Sequence, residues 1–254
     1  RLLAYCKYIC TLNNERNMSR LANKTILIIG GTSGIGAELV RQLEAENASV
    51  ITASRQATAN HGGTHICWDA TDATSDLSAL LPEKLDGLVY CPGSINLRPF
   101  ARISDAEFLN DFEINVMGAI RAIRQSINAL KRAGEASVVL YSTVAASQGM
   151  NFHASVATSK RALEGLSLSL AAEYATSKIR FNVVAPSLTN TPLAANLLAS
   201  PEKKEASDKR HPLGRIGQPE DAAGATLFLL SEASSWMTGQ VLAVDGGLSS
   251  IKSL

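Results

Sequence analysis

The run TILIIGGTSGIGAELVRQLEAEN, residues 25–47, decides how the chain folds. Its first residues, TILII, form a short, continuously apolar stretch, as expected of a strand covered on both faces. Gly30, Gly34 and Gly36 fall in the turn that follows, and AELVRQLEAEN then continues in a helical pattern. A strand, a glycine turn and a helix in that order aim backbone N–H groups and a helix N-terminus at one point, with no Cβ in the way. That is a cradle for the pyrophosphate of a dinucleotide. A second strand, ASVITAS, arrives in register behind it.

Working outward, the pattern repeats. HICWDATD (65–72) reads as a third strand ending at Asp69, and DGLVYCPGSI (86–95) as a fourth. Two helical patterns, SDAEFLNDFEINV and MGAIRAIRQSINALKRA, fill Ser104 to Arg132, with Ser104 as N-cap and Asp105 and Glu107 in the first turn. ASVVLYSTVAA is the fifth strand, KIRFNVVAPSLTNTPL the sixth strand with its loop, and MTGQVLAVDGG the last. This order predicts an α/β fold, a Rossmann-type doubly wound parallel sheet of about seven strands with helices on both faces. Crossovers are right-handed, and the ligand lies at the switch point near the strand C-termini.

The bulk composition narrows the function classes. With 254 residues, 46% hydrophobic and 19% charged, and no linker-like shift, residues 18–254 read as one domain. Residues 1–17 read as a leader, tag or disordered segment, because Lys7 interrupts the only apolar stretch there. A net charge of +1 and the lack of a long basic run give no support for a nucleic-acid partner, and no run is long enough to span a membrane. A small-molecule substrate in a cytoplasmic protein is the expectation. Cys6, Cys10, Cys67 and Cys91 show no metal-like pairing with the four histidines and are expected to be reduced, buried thiols.

The chemistry concentrates in VVLYSTVAASQGMNFHASVATSK, residues 138–160. A β-branched run ends in two hydroxyls, Ser142 and Thr143. Next come a loop with His153 and a helical continuation whose Leu163, Leu166 and Leu170 share one face. Lys160 therefore belongs on the first turns of a helix, opposite two hydroxyls at a strand end.

The glycine spacing resembles the Thr-Gly-x-x-x-Gly-x-Gly turn of the classical short-chain dehydrogenases/reductases, with Ile29 in place of the Thr. The resemblance runs from about Lys24 to Gly247 and includes Pro186 and Thr191 after the sixth strand and the turn in HPLGRIGQPED. It implies a nicotinamide cofactor. The contacts it implies are Gly30, Thr32, Ser33, Gly34, Ile35 and Gly36 in the turn, Asp69 and Ala70 after the third strand, and Cys91, Pro92 and Gly93 after the fourth. Lys160, Pro186, Ser187, Thr189 and Thr191 complete that set. Ser54 followed by Arg55 at the end of the second strand favours the 2′-phosphate of NADP(H), with NAD(H) possible.

For catalysis the resemblance implies Asn115 in a helix interior, Thr143 where the family has Ser, and Lys160. It also places Val156 where the family has its catalytic Tyr. His153 is a candidate replacement acid, since its ordinary pKa suits proton transfer at neutral pH. Two readings stay open. One is an oxidoreductase acting on a small carbonyl/alcohol or conjugated enoyl substrate with an atypical proton donor. The other is a non-catalytic NADP(H)-binding sensor or scaffold. The resemblance also implies a homodimer or homotetramer, through the long helices beside the fifth strand and through the last strand. A Ser142 hydrolase lacks a partner pattern.

Overall fold

Strand β1 (Thr25–Ile29) sends alternate side chains into two cores, Leu27 and Ile29 into one and Ile26 and Ile28 into the other. This is why the run is apolar throughout rather than alternating: a parallel strand with helices on both sides has no wet face. The computed structural model describes residues 21–56 and 63–252. The segment assigned above to a leader, tag or disorder lies outside them, as do Cys6 and Cys10.

Seven parallel strands make one sheet in the order β3-β2-β1-β4-β5-β6-β7. They are β1, β2 (Ser49–Ser54), β3 (Thr64–Cys67), β4 (Gly87–Tyr90), β5 (Ala136–Tyr141), β6 (Ile179–Pro186) and β7 (Val241–Val244). On the face that buries Ile26 and Ile28 lie α1 (Gly34–Ala45) and α6 (Pro219–Leu230). Opposite, Leu27, Leu88, Val138 and Phe181 pack under α3 (Gly118–Arg132) and α4 (Ala154–Tyr174). The strand order reverses between β1 and β4, which opens a crevice at their C-terminal ends. A further short helix, α5 (Pro201–Asp208), stands over that crevice. No helix among the described residues is long and apolar enough to cross a membrane.

The two helical patterns between Ser104 and Arg132 form one continuous rod. α2 (Asp105–Phe112) starts with a reciprocal Ser104/Glu107 capping box and runs into a π turn, Glu113–Met117, that passes directly into α3. Widened turns of this kind occur mostly as single insertions at functional sites. Here the turn carries Asn115, and it is fastened to the sheet by Tyr90, whose buried hydroxyl donates to the Ile114 carbonyl at 2.6 Å. Burial pushes the Tyr90 phenol well above its ordinary range, so it stays a donor.

The contact needs a glycine opposite: a Cβ on Gly118 would lie 2.1 Å from the Tyr90 hydroxyl oxygen. Expectations on the thiols are corrected in part. Cys67 at the end of β3 is exposed and Cys91 is half-buried, and both are free. Position 67 ends an edge strand of the sheet, with β2 as the only strand beside it among the described residues.

Tyr90→Phe leaves the Ile114 carbonyl without its donor and is expected to destabilise the fold by about 1–2 kcal/mol in urea unfolding. Gly118→Ala should be more damaging alone than in the Tyr90→Phe background, since removing the hydroxyl clears the nearest obstacle; strictly additive effects would show that the two residues do not meet.

Candidate active site

One cleft of about 1120 Å³ opens at the switch point, bordered by the ends of β1, β2, β4, β5 and β6. At its floor the turn after β1 closes tightly. Gly30 has φ +79° and lies against the Pro92 ring, and a Cβ on Gly36 would fall 2.2 Å from the Gly30 carbonyl oxygen. Ser33 precedes α1 without a side-chain cap, and the first turn holds no acidic residue, so the helix N-terminus faces the cleft with its N–H groups uncovered. The loop after β6 comes down on the same point, with the Thr191 methyl 3.2 Å from where a Gly34 Cβ would be. Pro186, Ser187 and Thr189 line the wall above it.

The far end of the cleft is polar. Ser54 Oγ donates to the Gln56 carbonyl, which folds the chain over after β2, and Arg55 stands exposed at the rim. Asp69 uses one carboxylate oxygen, Oδ1, to hold the Thr71 N–H and hydroxyl in a local turn. Oδ2 makes no such bond among the described residues. The carbonyl of Ala70 accepts from Arg121 at 2.9 Å, which pins this loop to α3. Thr32 and Ile35 complete the lining contributed by the glycine turn.

At the near end, Lys160 sits on the second turn of α4, 6% exposed, and donates from Nζ to the Tyr141 carbonyl at 2.8 Å. Gly93 makes room for it: a Cβ there would lie 3.1 Å from Lys160 Nζ and 3.3 Å from Asn115 Oδ1. Asn115 is fully buried behind the wall rather than on it. Its Nδ2 lies within hydrogen-bond distance of the Asp111 carbonyl at 2.8 Å, Ser94 Oγ at 3.0 Å and Ser159 Oγ at 3.2 Å, its two hydrogens shared among the three acceptors, while its Oδ1 meets no donor among the described residues. Val156, one turn before Lys160, borders the cleft with an apolar side chain and is 6% exposed.

The two adjacent hydroxyls part company. Ser142 borders the cleft but its Oγ donates to Glu164 Oε1 at 2.6 Å, so the expectation that it donates to substrate is corrected: its proton is already committed to a buried carboxylate. Thr143, one residue on and turned the other way, accepts from Ala145 N and keeps its own proton free to donate at the cleft. His153 also borders the cleft, half-buried, as the residue just before α4. Its Nδ1 lies 2.7 Å from the Asn151 carbonyl, which makes Nδ1 the donor and leaves Nε2 as the working atom.

Three features went unread in the sequence. Asp111, four residues before Asn115, is a buried carboxylate, and helical spacing places it on the same face; that charged residue on an inward face was the available signal. Ser94 joins it across the loop after β4. His211, 3% exposed, bridges the Ser207 carbonyl on α5 and Ser187 Oγ after β6. The segment from Ala194 to His211 stands over the cleft through Leu197, Lys203 and Arg210. Lys204 instead pairs with Asp208 on the same helix.

These residues fit a nicotinamide dinucleotide: a glycine cradle that side chains would fill, an uncapped helix start, and an ammonium beside an unsatisfied buried amide oxygen. Among the described residues, no group of three or more His, Cys, Asp or Glu is placed to hold a metal ion.

Burial pulls the Lys160 ammonium down to about 8, with Cys91 and Asp111 opposing the shift. Burial also pushes the Cys91 thiol up to about 12, so at neutral pH Cys91 is uncharged and only Asp111 opposes. The folded value lies below the ordinary 10.5, so between pH 8 and 10.5 the unfolded chain binds a proton the folded chain lacks. Stability therefore rises with pH across that window, and below it the buried charge is a burden. Lys160→Met is expected to raise stability at pH 7 by about 1–3 kcal/mol, net of the lost bond to Tyr141, with the advantage shrinking as pH climbs from 8 to 10.5. Urea unfolding across that range checks the sign.

Comparisons with known proteins agree with this geometry. A family profile described as Enoyl-(Acyl carrier protein) reductase matches residues 30–249. A tropinone reductase homolog of Arabidopsis thaliana is 34% identical over 248 residues, covering 89% of this chain and 92% of the relative. L-xylulose reductase of Bos taurus is 32% identical, covering 90% and 97%. Among solved structures, the ligand-free aldohexose dehydrogenase of Thermoplasma acidophilum superposes with a TM-score of 0.86 at 30% identity, over 94% of this chain and 100% of that one. With its seven-stranded parallel sheet, glycine turn and buried lysine, the chain belongs to the short-chain dehydrogenase/reductase family of oxidoreductases.

Proposed function

We infer that the protein is an NADP(H)-dependent oxidoreductase that moves hydride between the nicotinamide and a small carbonyl/alcohol or conjugated enoyl substrate, with Val156 standing where the family's tyrosine acid would be. The observation that carries this reading is the meeting of a buried ammonium, a free Thr143 hydroxyl and an apolar Val156 in the same cleft that Arg55 closes at its other end. When bound, the nicotinamide supplies the hydride chemistry. Lys160 would hold ribose hydroxyls, and Arg55 with Ser54 would take the 2′-phosphate. Asp69 Oδ2 is left to accept from the adenine edge.

Thr143 donates to the substrate oxygen, a bond worth a few kcal/mol where charge develops in a dry site, on the order of 2.7–4 for one such donor. His153 lines the same cleft with Nδ1 bonded to the Asn151 carbonyl, and its Nε2 would be an alternative site of proton exchange. Ile95, Leu97, Met150, Phe152 and Leu193 make the substrate end apolar, which favours substrates with a hydrocarbon body. The matching profile supports the enoyl class and the dehydrogenase and reductase relatives the carbonyl/alcohol class. Val156 itself favours the second reading, a protein that binds NADP(H) without turnover.

NADPH absorbance followed with ketone and enoyl-thioester panels separates them. Consumption above a no-protein blank supports the enzyme; tight NADPH binding with no consumption on any panel supports the sensor. Arg55→Glu should weaken NADPH about 10- to 100-fold, equivalent to about 1.4–2.8 kcal/mol, while leaving NADH affinity nearly unchanged. Equal losses for both cofactors would remove Arg55 from the 2′-phosphate.

The same reading includes self-association. Gly165, Leu168, Ser169 and Ala172 face outward on α4, with Leu168 61% exposed, and Trp236 just before β7 is fully exposed. A homodimer or homotetramer through α4 and β7 would cover them. Light scattering should report a multiple of 26.9 kDa, reduced by Leu168→Glu; a monomer at micromolar concentration would rule the assembly out.

A further inference from the structure

Beside Val156 lies a polar cluster that neither the cofactor nor the family tetrad explains. Asp111 on α2 is 1% exposed. Its Oδ1 accepts from Ser94 Oγ at 2.6 Å and its Oδ2 from Ser155 Oγ at 2.5 Å, Ser155 being the neighbour of Val156 in α4. A carboxylate this deep is expensive, and neutral hydroxyls offset only part of the loss of water.

Ser94 follows Gly93 and borders the cleft. Its oxygen accepts from Asn115 Nδ2 at 3.0 Å. An amide NH₂ can only donate, so the Ser94 proton is left pointing at Asp111, and the second acceptor site of the hydroxyl remains for a ligand. The polarity of the chain is thus fixed from Asn115 through Ser94 to the carboxylate.

We propose that Ser94 and Asp111 form the proton relay of this active site, with Ser94 as the catalytic hydroxyl that meets the substrate oxygen and Asp111 as the positioning carboxylate that takes or returns the proton behind it. The proposal rests on the oxidoreductase reading above and deepens it. In alcohol oxidation the substrate O–H donates to Ser94 Oγ. The carbinol C–H bond breaks and its electron pair leaves as hydride, NADP⁺ being the oxidant. The O–H bond breaks with it, and its electron pair becomes the second bond of the carbonyl. The substrate proton joins Ser94 Oγ while the Ser94 proton joins Asp111 Oδ1, leaving a carbonyl product and a neutral Asp111. Once product has left, Ser94 hands the substrate proton to water in the open cleft while Asp111 Oδ1 returns its proton to Ser94 Oγ, which restores the hydroxyl and the carboxylate. Carbonyl reduction runs through the same steps in reverse, with a protonated Asp111 supplying Ser94.

The test compares wild type with Asp111→Asn, Ser94→Ala and Val156→Tyr, alone and combined, on whichever panel compound wild type turns over. Turnover, NADPH affinity by fluorescence and thermal melting are read side by side. Loss of a positioned acid–base group predicts a fall in kcat of about 100-fold or more in both Asp111→Asn and Ser94→Ala, with NADPH affinity and KM held. Val156→Tyr places a phenol one turn before Lys160, bypasses the relay and is expected to recover about 10-fold or more of the lost rate in each.

Infrared difference spectra on adding alcohol to the NADP⁺ complex should show a protonated carboxyl band that Asp111→Asn lacks. Wild-type kcat in Asp111→Asn or Ser94→Ala overturns the relay and leaves the oxidoreductase reading standing. A parallel drop in melting temperature, cofactor affinity and kcat, unrelieved by Val156→Tyr, assigns the cluster to folding and also overturns it. Should Asp111→Asn not fold, Ser94→Ala decides alone. A wild type inactive on every panel removes the reading and the relay together.

Discussion

An ammonium held nearly out of water organises the active end of this protein. Lys160 reaches its place because α4 packs on β5 and because position 93 has no side chain to stop it. Among the described residues it donates to a backbone carbonyl at a strand end, not to a carboxylate, so burial is offset incompletely and its pKa falls. The surroundings follow from that constraint. A side chain at position 93 would press on Lys160 Nζ and Asn115 Oδ1, which share that space, and Cys91 stays a neutral thiol because burial outweighs the attraction of the nearby cation.

The rod formed by α2, the π turn and α3 is the second consequence. A regular helix would carry one hydrogen bond per residue and offer Asn115 no reason to point inward. The widened turn swings Asn115 under the cleft wall, where its Nδ2 ties three segments together, the loop at Ser94, the carbonyl of Asp111 and Ser159 on α4. Tyr90 holds that turn against the sheet from the other side. Its aromatic side chain reaches past the loop after β4 to the helix, so strand and turn are joined by one hydrogen bond.

The sheet was legible because its information is local. Seven apolar runs, the glycine turn and the Ser104/Glu107 cap each declare themselves within a few residues, and chirality and parallel pairing leave little freedom in how such units assemble. The residues lining the cofactor end of the cleft were legible for the same reason, since they lie at strand ends. The rest depends on contacts between segments far apart in the chain. Ser142 and Thr143 are adjacent hydroxyls with opposite directions, and only the position of Glu164 on α4 shows that Ser142 is spoken for. Cys67 reads as a buried thiol until β3 proves to lie at the edge of the sheet. Asp111 was hidden because its partners, Ser94 and Ser155, lie 17 and 44 residues away.

Buried polar groups retained against their own stability carry the functional argument. Lys160, Asp111, Asn115 and Glu164 are all buried, where removing a polar group from water is costly. Glu164 has a structural account, since Arg161 pairs with it and Ser142 donates to it, joining α4 to the end of β5. Lys160 has one in the cofactor. Asp111 has neither: its donors are neutral, and the segment it would brace, α2 against α4, could be joined by apolar side chains without removing a carboxylate from water. A charge kept where packing does not require it, connected through one hydroxyl to the wall where Val156 leaves the cleft without an acid, marks the direction in which the proton chemistry has moved.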